Sequence, residues 1–165
     1  MLRYVEEFFA GSRAKLKVVT SLLRLGIRID RQGKLYCDNI ELAPAKVARA
    51  LSVDRRVVIE TAKEIAEDPE LFPVFSDLLP IANVAKAAKF FGHDVIEIAA
   101  DPNSVGVVGK VAGVLGKHKV KIRQIIADDP DLYPEPALRL VVDGKLPQKA
   151  LADLRRLGLE SISLK

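Results

Sequence analysis

Downstream of Gly92, four short segments alternate apolar and polar residues, and two helical periods interrupt them in the order β-α-β-β-α-β. The predicted strands cover 94–100, 120–127, 137–143 and 161–164, and the predicted helices cover 105–117 and 147–157. Ile96, Ile98, Val120, Ile122, Leu138, Leu140, Val142, Ile162 and Leu164 form one apolar set along these strands. Glu97, Lys121, Arg123, Arg139, Ser161 and Ser163 fall between them. A sheet with a single apolar face needs cover on that face alone, and two helices on one side supply it. The pattern predicts a ferredoxin-like split β-α-β domain closed by right-handed crossovers.

Upstream the periods are mostly helical, so the chain as a whole reads as α+β. Leu16, Val19, Leu22 or Leu23 and Leu25 give a helix over 13–25 that ends at Gly26. Residues 27–29 and 34–36 alternate around Asp30-Arg31-Gln32-Gly33, a short hairpin whose Gly33 suits a positive φ. Helices over 44–51 and from Asp54 to about Glu67 follow, with Pro44 at a first helical position where its missing N–H costs nothing. The expected division is a helix-turn-helix-like domain over 1–68, a connector over 69–92 and the split β-α-β domain over 93–165. Pro69, Pro73 and Pro80 punctuate the connector, and 81–91 reads as a helix closed by Gly92.

Composition removes several function classes. With 165 residues and 49% hydrophobic content the chain has enough apolar material for packed cores, which argues against disorder. Charges break every apolar run well before eighteen residues and the N-terminus lacks a signal-peptide core, so the expectation is a cytoplasmic protein without membrane contact. Cys37 has no second cysteine to pair with, and with His93 and His118 it makes no metal-ligand spacing. No metal or other cofactor is expected. Asp128, Asp129, Asp131 and Glu135 cluster between prolines that give no encircling geometry, so they read as a solvated loop. No nucleophile-base spacing or phosphate-binding glycine motif is present, and the chain does not read as an enzyme.

Charge is distributed unevenly. Residues 11–63 hold twelve Lys/Arg against five Asp/Glu, a local balance of +7, whereas residues 64–80 hold five acids and no bases. The basic stretch contains Ala48, Ser52 and Val58 at the small, turn and buried-aliphatic positions that two closely packed helices require. Ser52 replaces the commoner Gly, and Thr61 stands where a second aliphatic is usual. The run from Pro44 to Val58 resembles the helix-turn-helix of DNA-binding regulators. In that reading Asp54 caps the second helix, Arg55 and Arg56 reach DNA, and Lys46, Arg49 and Lys63 hold the phosphate backbone. Glu60, one turn beyond Arg56, opposes such contact, and a packing or dimer role for the same helices stays open.

The C-terminal seventy residues, through Asp101-Pro102-Asn103-Ser104-Val105-Gly106-Val107-Val108 and the following Val120-Lys121-Ile122, resemble an ACT domain. With its basic head the full chain resembles an archaeal family of predicted regulators of amino-acid metabolism that contain an ACT domain. The resemblance implies a free amino acid as ligand, contacted by Asp101, Asn103, Ser104, Val105, Gly106, Val107, Lys121 and Ile122, and a homodimer. Independently of the family, a helix start with exposed N–H groups near Gly106 favours a carboxylate, and Asn103 is placed to cap it. Lys121 stands where ligand-binding relatives often carry an amide. Gly106, Gly109, Gly113 and Gly116 recur on one side of this helix, which invites close approach by a second subunit, a ligand or the domain's own second helix. The expected function is an amino-acid-responsive transcription regulator on double-stranded DNA. The alternative is an amino-acid-binding allosteric module that acts through protein contacts.

Overall fold

Apolar residues three and four apart generate five helices in the first half of the chain: α1 (Leu2–Phe8), α2 (Arg13–Leu25), α3 (Pro44–Leu51), α4 (Arg55–Glu67) and α5 (Leu71–Ser76). Between α2 and α3 lies an antiparallel sheet of β1 (Ile27–Ile29), β2 (Leu35–Cys37) and β3 (Ile40–Leu42). The computed structural model describes residues 2–99 and 104–165. The chain divides into two units, Met1–Ile81 and Ala82–Lys165.

In the first unit Val19, Leu22, Ile29, Leu35, Val58, Ile65 and Phe75 are fully buried. Ser12 caps α2 through the Lys15 N–H, and Gly26 ends it in the left-handed region at φ 62°. The β1–β2 turn is tied by Asp30, whose Oδ1 accepts from the N–H groups of Gln32 and Lys34 at 2.9 Å each. Gly33 takes φ 75° there. β3 escapes sequence patterning because it follows a two-residue turn at Asp38-Asn39 and is only three residues long. α5 escapes because Pro73 looked like a breaker; it occupies the first turn, where a missing N–H leaves no helical bond unmade. Residues 69–81 therefore belong to the first unit and 82–92 to the second.

The second unit contains β4 (Val95–Ala99), α6 (Val107–Lys117), β5 (Ile122–Ala127), β6 (Leu138–Val142), α7 (Gln148–Arg155) and β7 (Ser161–Leu164). Its strands are ordered β5-β6-β4-β7 and every pair is antiparallel. Ile96, Ile98, Leu138, Leu140 and Val142 pack beneath Val111 and Leu115 of α6 and Ala150, Leu151 and Leu154 of α7. Ile122 and Ile162 pack partly against this core. Leu164 departs from the expected inward set: it pairs with Ile96 on an edge strand and stays 39% exposed.

A register shift between Ile122 and Gln124 interrupts the alternation of β5. Ile122 opposes Val142 and Ile125 opposes Leu140, whereas Gln124 opposes Val141 and Ile126 opposes Arg139. The bulge thus sends Gln124 to the face away from the helices. There its Oε1 accepts from the Val84 N–H at 3.1 Å and its Nε2 donates to the Ala82 carbonyl at 2.6 Å. These bonds claim backbone groups that a helix over 81–91 would need, and only a 3-10 turn over Ala88–Phe91 forms, closed by Gly92 at φ 75°. Ala88, Val95 and Val141 bury one another beneath this segment, so the second sheet face is partly covered.

The glycines of α6 require a second correction. A Cβ built on Gly106, Gly109, Gly113 or Gly116 meets nothing within 4 Å, so the domain's own second helix is not what approaches them. Val111 and Leu115 define the core side, which turns Gly109, Gly113 and Gly116 to the opposite side of the helix.

Candidate functional site

Two places carry the residues singled out in the sequence. In the first unit α3 ends at Ser52, which adopts the left-handed conformation at φ 52° and passes its N–H and that of Val53 to the carbonyls of Arg49 and Ala48. This left-handed position is why a Gly is the commoner choice. Ala48 and Val58 are buried where α3 and α4 meet. Thr61 is fully buried and satisfies its hydroxyl by donating to the Val57 carbonyl at 2.7 Å, which lets a polar residue stand at an aliphatic position. Asp54 caps α4: its Oδ1 accepts from the Arg56 N–H at 2.7 Å.

The exposed cations of α3 and α4 divide into two groups. Lys46, Arg49, Arg55 and Arg56 are exposed, and none has a carboxylate within 4.0 Å among the described residues. Farther along α4 the charges are compensated. Glu60 and Glu64 both meet Lys15 of α2, at 3.7 and 2.6 Å, and Lys63 pairs with Glu67 at 3.7 Å. Glu60 is therefore drawn toward α2. Lys63 shares its charge with its own helix, unlike the four residues nearer the turn.

The second place is the start of α6. Gly106 is its N-cap, at φ 80°, and the expected cap by Asn103 falls on a residue outside those described. Asp101 and Asn103 lie outside the described residues. Ser104 and Val105 are exposed, and Ser104 and Val107 line an apolar hollow of about 190 Å³ with Ile98, Ala127 and Leu138. Lys121 and Ile122 are not brought to this hollow. β4 and β5 both run antiparallel to β6, so they point the same way, and α6 returns the chain from one end of the sheet to the other. Its eleven residues span about 16 Å, separating the 104–107 group from the 121–122 group within one chain.

The charged loop contributes more than solvation. Asp128 accepts from Arg139 Nη1 at 2.7 Å and from the Ala137 N–H at 3.2 Å, while Arg139 Nε donates to Glu97 at 3.0 Å. Lys165 adds a bond to Glu97 at 2.5 Å. The Lys165 hydrogen bond, reinforced by Arg139, outweighs desolvation and holds the Glu97 carboxyl below its ordinary range. At the far end of β4, burial pushes the Asp94 carboxyl up, but bonds from Lys145 Nζ at 2.8 Å and the Leu146 N–H at 2.9 Å win, and its pKa is lowered. His118 Nε2 lies 2.8 Å from Asp153 Oδ2, joining the end of α6 to α7. Among the described residues no three His, Cys, Asp or Glu side chains are grouped to hold a metal ion, and no helix is long and apolar enough to cross a membrane.

No protein-family model and no curated protein matches the chain at a significant level. Among solved structures, the ligand-free regulatory subunit of aspartate kinase from Thermus thermophilus aligns with 22% identity and a TM-score of 0.38 over 45% of this chain. The alignment spans half of that protein's length, 50%. A protein designated PH0061 aligns over 93% of this chain and 89% of its own, with 11% identity and a TM-score of 0.30. Both likenesses are weak, with TM-scores below 0.5.

Proposed function

We propose that the protein is a non-enzymatic, cytoplasmic, amino-acid-responsive regulator that contacts duplex DNA through the α3–α4 helix pair. The observation that carries this reading is the group of four exposed cations, Lys46, Arg49, Arg55 and Arg56, left without carboxylate partners around a tight left-handed turn. Uncompensated lysines and arginines on adjoining helices are what phosphate contact requires, and within α3 and α4 the pairing of Lys63 with Glu67 leaves the excess near the turn. The ligand unit is read as an ACT domain, consistent with its element order and strand neighbours. A ligand touched by both the 104–107 and 121–122 groups would sit between two copies, because one chain holds them at opposite ends of α6. That supports a homodimer, which in turn suits a two-fold operator.

Anisotropy titrations of a fluorescent random-sequence duplex with the full-length protein test the DNA contact. Four phosphate contacts per chain give a slope of log K against log salt of about −3.6. Replacing Lys46, Arg49, Arg55 and Arg56 with Ala should flatten that slope and weaken binding, while Lys63→Ala should change it little. Equal binding by the quadruple variant and the parent overturns the reading. In that case the alternation of Arg56, Glu60, Lys63 and Glu67 along one stripe of α4 favours a protein partner instead. A thermal-shift scan with the twenty amino acids checks the sensor, since a ligand of the folded state raises the melting temperature.

A further inference from the structure

The face of the second unit's sheet that points away from α6 and α7 holds a cavity of about 750 Å³, whose lining shares Asp128 with the hollow at the helix start. Its floor is the ion lattice of β4 and β6. Glu97 and Arg139 are register partners, Arg139 bridges Glu97 to Asp128, and Lys165 completes Glu97, so two cations and two anions cancel. The 82–92 segment forms one wall, fixed by the two Gln124 bonds and by burial of Ala88 against Val95 and Val141. That wall brings Lys86 and Lys89 to the cavity, and the loop after β5 brings Glu135. Neither lysine has a carboxylate within 4.0 Å among the described residues; Lys89 instead stands 5.6 Å from the centre of the Phe90 ring.

We propose that this cavity binds a small aliphatic carboxylate, its charged group between Lys86 and Lys89 and its stem on Ala85 and Val95. The charge count favours an anion, since Lys86 and Lys89 outnumber Glu135 once the floor cancels. The floor disfavours phosphate: Arg139 has already committed Nε and Nη1 to Glu97 and Asp128, which removes the bidentate fork that phosphate recognition uses. The remaining lysines act as point charges beside apolar side chains, the surroundings a carboxylate on a short alkyl stem needs. The volume lies within the range of small-molecule pockets, about 300–1,000 Å³. The bulge in β5 is what builds the wall, because without it Gln124 would point toward the helices and the segment would lose both its anchoring bonds.

The test is an amide chemical-shift titration of the full-length isotope-labelled protein with pentanoate, glutarate, inorganic phosphate and 1,5-diaminopentane. Pentanoate or glutarate should move the amides of residues 83–89, Glu97 and Arg139 saturably, and phosphate and the diamine should not. The Lys86→Gln, Lys89→Gln double variant should lose about tenfold or more in affinity as the charge partners disappear. Glu135→Gln should gain about two- to threefold, the effect of removing one solvent-screened like charge. All three positions are exposed, so the variants keep the fold. Absence of saturable shifts with either carboxylate, equal response to phosphate, or shifts confined to residues 104–107 overturns the proposal. The last result would leave a helix-start ligand site standing, so the two sites are read separately.

Discussion

Replacing Gly109 and Gly113 together with Ala separates a solvent-facing α6 from one that a partner must approach. Both residues lie inside an eleven-residue helix, neither has a positive φ, and a Cβ at either meets nothing within 4 Å. In an isolated chain the change removes only the backbone-entropy cost of glycine, about 0.8–1.0 kcal/mol at each position, or about 1.6–2 kcal/mol for the pair. A unit the size of Ala82–Lys165 shifts its midpoint by about 4–8 °C per kcal/mol, so its melting transition should rise by about 6–16 °C. Circular-dichroism melts at two protein concentrations measure it, with light scattering on the same samples for mass. A rise with unchanged mass is the expected outcome if solvent covers the glycines. A fall, or a drop in mass with the variant, would show that a second copy packs backbone-close on that face and would refute the solvent assignment.

Gly26→Ala should be severe, because φ is 62° and the added Cβ would lie 2.3 Å from the Leu79 carbonyl oxygen, a backbone atom that cannot swing away. The left-handed strain alone costs about 1–2 kcal/mol, and the collision adds to it; a denaturant melt of the full chain showing a loss below 1 kcal/mol would contradict this packing. Asp94→Asn should destabilise the second unit by about 1.5–3 kcal/mol through loss of a charge-assisted bond from Lys145. The sign with pH follows from the lowered pKa values of Asp94 and Glu97: their stabilisation is full above the unfolded carboxylate range and is lost as pH falls through the folded values, so melts from pH 7 to pH 2 should lose stability below about pH 4. The Asn variant should lose less over that interval than the parent.

The repeating features were legible in the sequence and the interruptions were not. Strand alternation placed Ile96, Ile98, Leu138, Leu140 and Val142 in the core, because burial on one side of a pleat imposes a period of two. Glycines reported helix ends and turns correctly at Gly26, Gly33 and Gly92, where φ is positive. The α3–α4 turn was readable through Ser52, although a serine there gives a weaker signal than a glycine. By contrast, a bulge adds one residue without any special side chain, so nothing in Ile122-Arg123-Gln124 announced that Gln124 would reverse its face. With Gln124 on that face its side chain bonds the Ala82 carbonyl and the Val84 N–H, and within 81–91 only the 3-10 turn over Ala88–Phe91 forms.

The charged residues were hardest to read for a related reason. A sequence shows how many charges a segment has, whereas function depends on which remain unpaired after folding. Asp128 looked like part of a solvated acidic loop, yet it binds Arg139, eleven positions away. Lys63 looked equivalent to Lys46 and Arg49, yet it meets Glu67, and Glu60 is held by Lys15 from another helix. Among the cations of α3 and α4, removing such pairs leaves Lys46, Arg49, Arg55 and Arg56, and around the cavity of the second unit it leaves Lys86, Lys89 and Glu135. An ion pair already made within the chain must be broken before either partner can serve a ligand, which costs the interaction it gives up. Unpaired charges carry no such penalty, and they are the groups whose substitution should alter binding while leaving stability nearly unchanged.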